Sequence, residues 1–144
     1  MKYLVLVFFI SYNVSATSIK NMTFGTLNVS EITSIYDGDT FRANLKGLHP
    51  LISKRIAIRV SGVDTPEIKG RCKKEKELAL KAKKFTVQFL RTANKIELRN
   101  VKRGKYFRIV ADVFADNKSL TKALLNSGLA VPYTGAKKYK NWCK

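Results

Sequence analysis

Two short acidic segments carry most of the residues able to do chemistry. Asp37-Gly38-Asp39-Thr40 is followed, 25 positions after Asp39, by Val63-Asp64-Thr65-Pro66-Glu67. Each alone has an ordinary reading, since Asp-Gly is a common hairpin turn and Thr-Pro-x sequences often open a turn or helix. The chain has only ten Asp and Glu residues, however, and four of them fall in these two segments. Carboxylates gathered in a cleft repel one another unless a proton or cation intervenes, and oxygen ligands without His or Cys suit calcium or magnesium. Such an ion neutralises a substrate phosphate, while another carboxylate orients or deprotonates the attacking water. Arginine forks then stabilise the charge developing on phosphoryl oxygens. Arg59 and Arg108 suit that role.

The elements that must position these groups are legible from periodicity. Residues 26 to 61 are rich in Thr, Ile, Val and Phe and broken at Asp37-Gly38 and at Gly47-Leu48-His49-Pro50, which predicts three strands joined by turns. In the last of them Ile56, Ile58 and Val60 take one face, so Arg59 projects from the other. Residues 73 to 92 carry Leu78, Ala82, Phe85 and Phe89 at helical spacing, with lysines elsewhere. Residues 95 to 99 and 106 to 114 read as a strand pair in which Arg108 shares a face with Tyr106, opposite Phe107 and Ile109. A short helix over 118 to 127 stops at Gly128. The order of elements gives an α+β chain with about five short strands, compatible with a small closed barrel and peripheral helices. His49 stands alone in a loop and carries no catalytic expectation.

At 144 residues the chain is long enough to bury one core and too short for two domains of ordinary size. With 45% hydrophobic and 10% aromatic residues it is not a disordered basic tail. Its formal charge of +18 makes phosphate-rich polymers or anionic membranes the natural partners. The lysines at 73, 74, 76, 81, 83 and 84 form either a solvated helix face or a surface that attracts polynucleotide without reading sequence.

The chain opens Met1-Lys2-Tyr3, runs through the apolar stretch Leu4 to Ile10 and reaches Val14-Ser15-Ala16. That is the layout of an export signal over residues 1 to 16, with cleavage after Ala16. The apolar run is far shorter than the ~20 residues of a spanning helix. Residues 17 to 144 then form one domain with its core at about 26 to 133, secreted or periplasmic, with no stable membrane association and nothing that demands more than a monomer. In an oxidising compartment Cys72 and Cys143 are expected to pair, and closing the loop between them is worth roughly 4 kcal/mol in the chain-entropy model. Two free thiols are the alternative, and neither cysteine has the neighbours of a zinc site.

These residues resemble the staphylococcal nuclease-like (thermonuclease) domain family. The likeness rests on Asp-Gly-Asp-Thr at 37 to 40, Arg59 five residues before Asp64, Val-Asp-Thr-Pro-Glu at 63 to 67, Lys-Tyr-Phe-Arg at 105 to 108 and Ala-Leu-Leu-Asn-Ser-Gly-Leu-Ala at 123 to 130. It implies a five-stranded OB-fold-type barrel with packed helices and a calcium-dependent phosphodiesterase acting on DNA and RNA. Carried over, it makes Asp39 and Asp64 calcium ligands beside the carbonyl of Thr65, and Glu67 the base or water orienter. Arg59 and Arg108 grip the scissile phosphate, Lys105 and Tyr106 contact a terminal phosphate or nucleotide, and Tyr133 offers a stacking face. Attack in line on phosphorus then expels the 5′ oxygen and leaves 3′-phosphate ends.

The sequence departs from the family pattern in three places. The segment from Asp39 to Arg59 is longer, which reads as an extended hairpin. The stretch after Glu67 is shorter and contains Cys72. Beyond Ala130 only fourteen residues follow, too few for the family's last long helix, and Cys143 is placed to fasten them. A non-catalytic OB-type nucleic-acid-binding module is the alternative, and a cationic protein of membrane surfaces ranks below it, since Trp142 is the only tryptophan.

Overall fold

The structure, a computed structural model, describes residues 22 to 144. The export signal read over residues 1 to 16 lies outside the described residues. Strand β1 (Leu27–Ile35) turns through Asp37-Gly38 into β2 (Thr40–Leu45), which pairs antiparallel with it and with β3 (Ile56–Val60). The expected extended hairpin between β2 and β3 contains one helical turn, α1 (Pro50–Ser53), whose first free N–H, that of Leu51, donates to the His49 ring at 3.3 Å. The lone histidine is therefore a helix cap. After the two-residue β4 (Val63–Asp64) come helix α2 (Lys73–Arg91), β5 (Ile96–Arg103), β6 (Ile109–Ala115), β7 (Lys118–Ser119), α3 (Leu120–Asn126) and β8 (Val131–Pro132).

Strands run in the order β3-β2-β1-β5-β6, and β3 and β6 pair in parallel to close the ring. A closed ring has no free edges. Two register shifts in β1 bend it around the barrel. The inward residues alternate as the period of two requires: Ile56, Ile58 and Val60 on β3 share one core with Ala111, Val113 and Ala115 on β6, with Phe41, Leu98, Leu120 and Leu124 completing a core in which most side chains are fully buried. The fold is an OB-fold-type α+β barrel with packed helices.

Two details correct the expectations from periodicity. The buried stripe of α2 is Glu75, Ala79, Ala82, Thr86 and Leu90, while Phe85 and Phe89 stack at its margin with ring centroids 6.2 Å apart. Small side chains face inward because the helix lies directly on the Asp37-Gly38-Asp39 turn: the Thr86 hydroxyl donates to the Gly38 carbonyl at 2.6 Å. The second correction concerns β6, which starts at Ile109. Tyr106 and Phe107 both adopt left-handed backbone (φ 55° and 57°), closing a tight turn in which the Gly104 N–H donates to the Arg108 carbonyl at 2.6 Å. Strand alternation does not reach Arg108, so it is presented from a turn and not from a strand.

Candidate active site

The acids and Arg59 meet on the barrel's rim because three neighbouring pieces of backbone are pinned there. Asp37 folds its own turn, its Oδ1 accepting from the Asp39 N–H at 3.1 Å. Gly38 has no room for a side chain, since a Cβ there would lie 2.8 Å from both the Ala82 Cβ and the Thr65 Cγ2. The Asp39 carbonyl accepts from the Val60 N–H at 2.8 Å, which seats the turn beside the end of β3. Asp39 Oδ2 accepts from the Thr65 N–H at 2.9 Å and so ties the two acidic segments together.

Around these anchors runs a chain of alternating charge. Arg59 donates to Asp39 Oδ1 through one nitrogen and to Asp64 Oδ1 through the other at 3.3 Å. Lys138 donates to the same Asp64 oxygen at 2.8 Å and to Glu67. The sequence Asp39, Arg59, Asp64, Lys138, Glu67 is thus continuous. Asp39 and Asp64 are buried, Arg59 is 14% exposed, and Glu67 stands at the mouth with 45% of its side chain in solvent. The Tyr133 ring lies 6.0 Å from the Arg59 guanidinium.

Burial dominates the electrostatics. Desolvation pushes the Asp39 carboxyl up from the ordinary range to about 7, against the opposing pull of Arg59 and with a further push from Asp37. Burial raises Asp37 as well, although its hydrogen bonds to Asp39 and the charge of Arg59 oppose the rise. For Lys138, burial alone would lower the ammonium's pKa, but its hydrogen bonds to Asp64 and Glu67 outweigh that and leave it raised.

Asp39, Asp64 and Glu67 offer only oxygen, which suits a hard cation, and the last two already share one ammonium. Asp39 joins that pair through Arg59, and no three of these carboxylates bring oxygens within 4.8 Å of one another. Among the described residues the only cluster that tight is Cys72, Glu75 and Cys143. There the two sulfurs form a disulfide with Cα atoms 6.0 Å apart, so they offer no thiolates to a metal.

The structure therefore brings together Asp39, Arg59, Asp64, Thr65, Glu67 and Tyr133. Arg108 makes no ion pair or hydrogen bond with these acids among the described residues. It lines a cavity of about 340 Å³ with Leu48, Ile52, Ile56 and Phe107, and its buried Nε has no partner. Lys105 is exposed and Tyr106 is 95% exposed, both on the turn before β6. Sequence reasoning missed Lys138, one of 28 basic residues and 71 positions from Glu67, for which no local signal exists. It also missed Thr86, a helix hydroxyl whose signal was its place among small inward residues.

Carboxylates and a half-buried arginine thus share the rim of an OB-fold-type barrel, and comparison with known proteins places that barrel in a family. The sequence model described as staphylococcal nuclease homologue matches residues 57 to 142. The chain belongs to that family. The match takes in Arg59, Asp64, Glu67, Arg108 and Lys138 but begins after the 37 to 40 turn, so the place of Asp39 in the site rests on its contacts. The chain is also 28% identical to a probable endonuclease of Schizosaccharomyces pombe over 83% of its own length, and spans 61% of that relative.

Proposed function

We propose that the chain is an exported, calcium-dependent, sugar-non-specific endonuclease that hydrolyses phosphodiester bonds of DNA and RNA and leaves 3′-phosphate ends. The observation that carries the reading is the charge-alternating cluster Asp39, Arg59, Asp64, Lys138, Glu67 on a closed barrel. Membership of the nuclease family and the likeness to a probable endonuclease support it. The surplus of basic residues supports a polyanionic substrate.

Asp39, Asp64 and the Thr65 carbonyl would hold the calcium ion. Bound there, the ion supplies positive charge that offsets the charge of the scissile phosphate. Glu67, at the solvent mouth, orients a water for attack on phosphorus and takes its proton. The new P–O bond forms as the bond to the 5′ oxygen breaks, and that oxygen takes a proton from solvent water and leaves as a 5′ hydroxyl, while Glu67 returns its own proton to solvent. Arg59, anchored by two carboxylates, presents a guanidinium to the phosphoryl oxygens, and Arg108 does so from the turn before β6. Tyr133 offers its ring to a base beside Arg59, while Lys105 and Tyr106 meet a neighbouring phosphate or nucleotide.

The second reading, a barrel that binds nucleic acid without cutting it, is favoured by the separation of Arg108 from the acids. Incubating the protein with single-stranded DNA and with RNA, in calcium or in chelator, decides between them. Cleavage in calcium alone supports the nuclease, and binding without cleavage in either supports the module. A mature N-terminus at Thr17 in the exported fraction, with elution as a monomer, tests the processing and the state of residues 17 to 144. Among the described residues no helix is long and apolar enough to cross a membrane, and Trp142 is buried.

A further inference from the structure

Lys138 sits on Asp64, one of the carboxylates proposed to hold the metal, and the chain holds it there. The segment after β8 has no helix, but it is fastened repeatedly. The Tyr133 N–H donates to the Gly62 carbonyl at 3.0 Å, the Tyr133 hydroxyl to the Ala136 carbonyl at 2.6 Å and the Tyr139 hydroxyl to the Pro132 carbonyl at 3.1 Å. Trp142 is buried beyond them, and the Cys72–Cys143 disulfide ties the segment to the start of α2. Among the described lysines of this segment Lys138 alone has carboxylate partners, although Lys137 and Lys140 lie within two positions of it. An ammonium on Asp64 Oδ1 and a divalent cation on the same carboxylate repel each other strongly.

We propose that Lys138 is a built-in competitor of the metal: its ammonium occupies the proposed ligand Asp64 while also pairing with Glu67, and the ion must displace it from Asp64 to enter. Lys138 thereby sets the metal affinity of the site, a role nothing in the family match assigns. The inference rests on the proposed metal-dependent reading. Half-exposed ion pairs are individually weak, so losing two of them shifts affinity by roughly tenfold and not by many decades.

Calcium titration of the full chain by calorimetry tests this without recourse to activity. Lys138→Met is expected to bind calcium roughly tenfold more tightly than the wild type, and Lys138→Arg, which keeps the charge, to bind as the wild type does. A variant that merely damaged the fold would bind more weakly, the opposite sign. Lys137→Met removes the same charge from the adjacent residue and is expected to change affinity far less. Equal tightening in the 137 and 138 variants, or no tightening in Lys138→Met, overturns the competitor while leaving the metal site standing. Absence of calcium binding in every protein overturns both.

Discussion

The backbone N–H of Thr65 donates to the carboxylate of Asp39 at 2.9 Å, across 26 residues of sequence. Through that one bond the turn before β2 and the strand end after β3 become a single acidic wall. A buried carboxylate is costly unless it is paired and hydrogen-bonded. Here Thr65, Thr40 and Arg59 all supply donors to Asp39.

Arg59 consequently has two roles that a double substitution can separate. Arg59→Gly is expected to cut turnover by ~10² to 10³, the worth of one transition-state donor. It should also destabilise the fold by about 1 to 3 kcal/mol above pH ~7, where the ionised Asp39 loses its charged hydrogen-bond donor. Adding Asp39→Asn to Arg59→Gly should restore much of the melting temperature and none of the activity. Equal melting temperatures for wild type and Arg59→Gly would show that the pair contributes nothing to stability.

Glu67 and Arg108 should behave differently from Arg59 in thermal melts. Glu67 stands at the mouth, and among the described residues its carboxylate is hydrogen-bonded by Lys138 alone, so Glu67→Ser should lower turnover by ~10² with little change in melting temperature. Arg108→Gly should lower turnover by orders of magnitude, because it removes a donor to the phosphoryl oxygens. Wild-type turnover in either variant removes that residue from the mechanism.

The pH dependence of stability in chelator has a definite sign. Burial raises the Asp39 carboxyl from 3.8 to about 7 in the fold. Between those values the unfolded chain has released a proton that the native state still holds. The contribution of Asp39 is therefore fully present below pH ~4 and is lost progressively as pH rises towards about 7. Asp39→Asn cannot lose it, so the variant should gain stability relative to wild type between pH 4 and 8. Parallel melting curves across that range would contradict the assignment.

Packing of α2 on the acidic turn can be tested away from the charges. At Gly38 a Cβ would come within 2.8 Å of Ala82 and Thr65, so Gly38→Ala should cost roughly 1 to 3 kcal/mol in denaturant unfolding. Thr86→Val, which leaves the Gly38 carbonyl without its hydroxyl donor, should cost about 1 to 3 kcal/mol. Unchanged midpoints in both would mean that the turn does not depend on the helix.

What the sequence made legible was local. Alternation in Ile56, Ile58 and Val60 placed Arg59 outward, and the two acidic motifs lie at strand ends that the barrel brings together. Alternation failed at Tyr106 and Phe107, where two consecutive left-handed residues turn the chain before β6 and nothing in Lys-Tyr-Phe-Arg announces them. It failed on α2 because the large aromatics suggested the inward face, while the close approach of the Gly38 turn required Ala and Thr there. Lys138 was invisible because its partners lie about 70 residues away and lysines are everywhere in the chain.

Arg59 rides on the strand that closes the barrel, paired with Thr40 on one side and Val110 on the other. The seam between β3 and β6 joins the first half of the chain to the second, and such long-range pairings form late because the intervening loop must be ordered first. Collapse can bury Ile58 and Val113 well before that seam zips, but Arg59 reaches its final place only afterwards. In a refolding experiment, cleaving power should lag behind compaction and arrive with the last amide protons to become protected along β3.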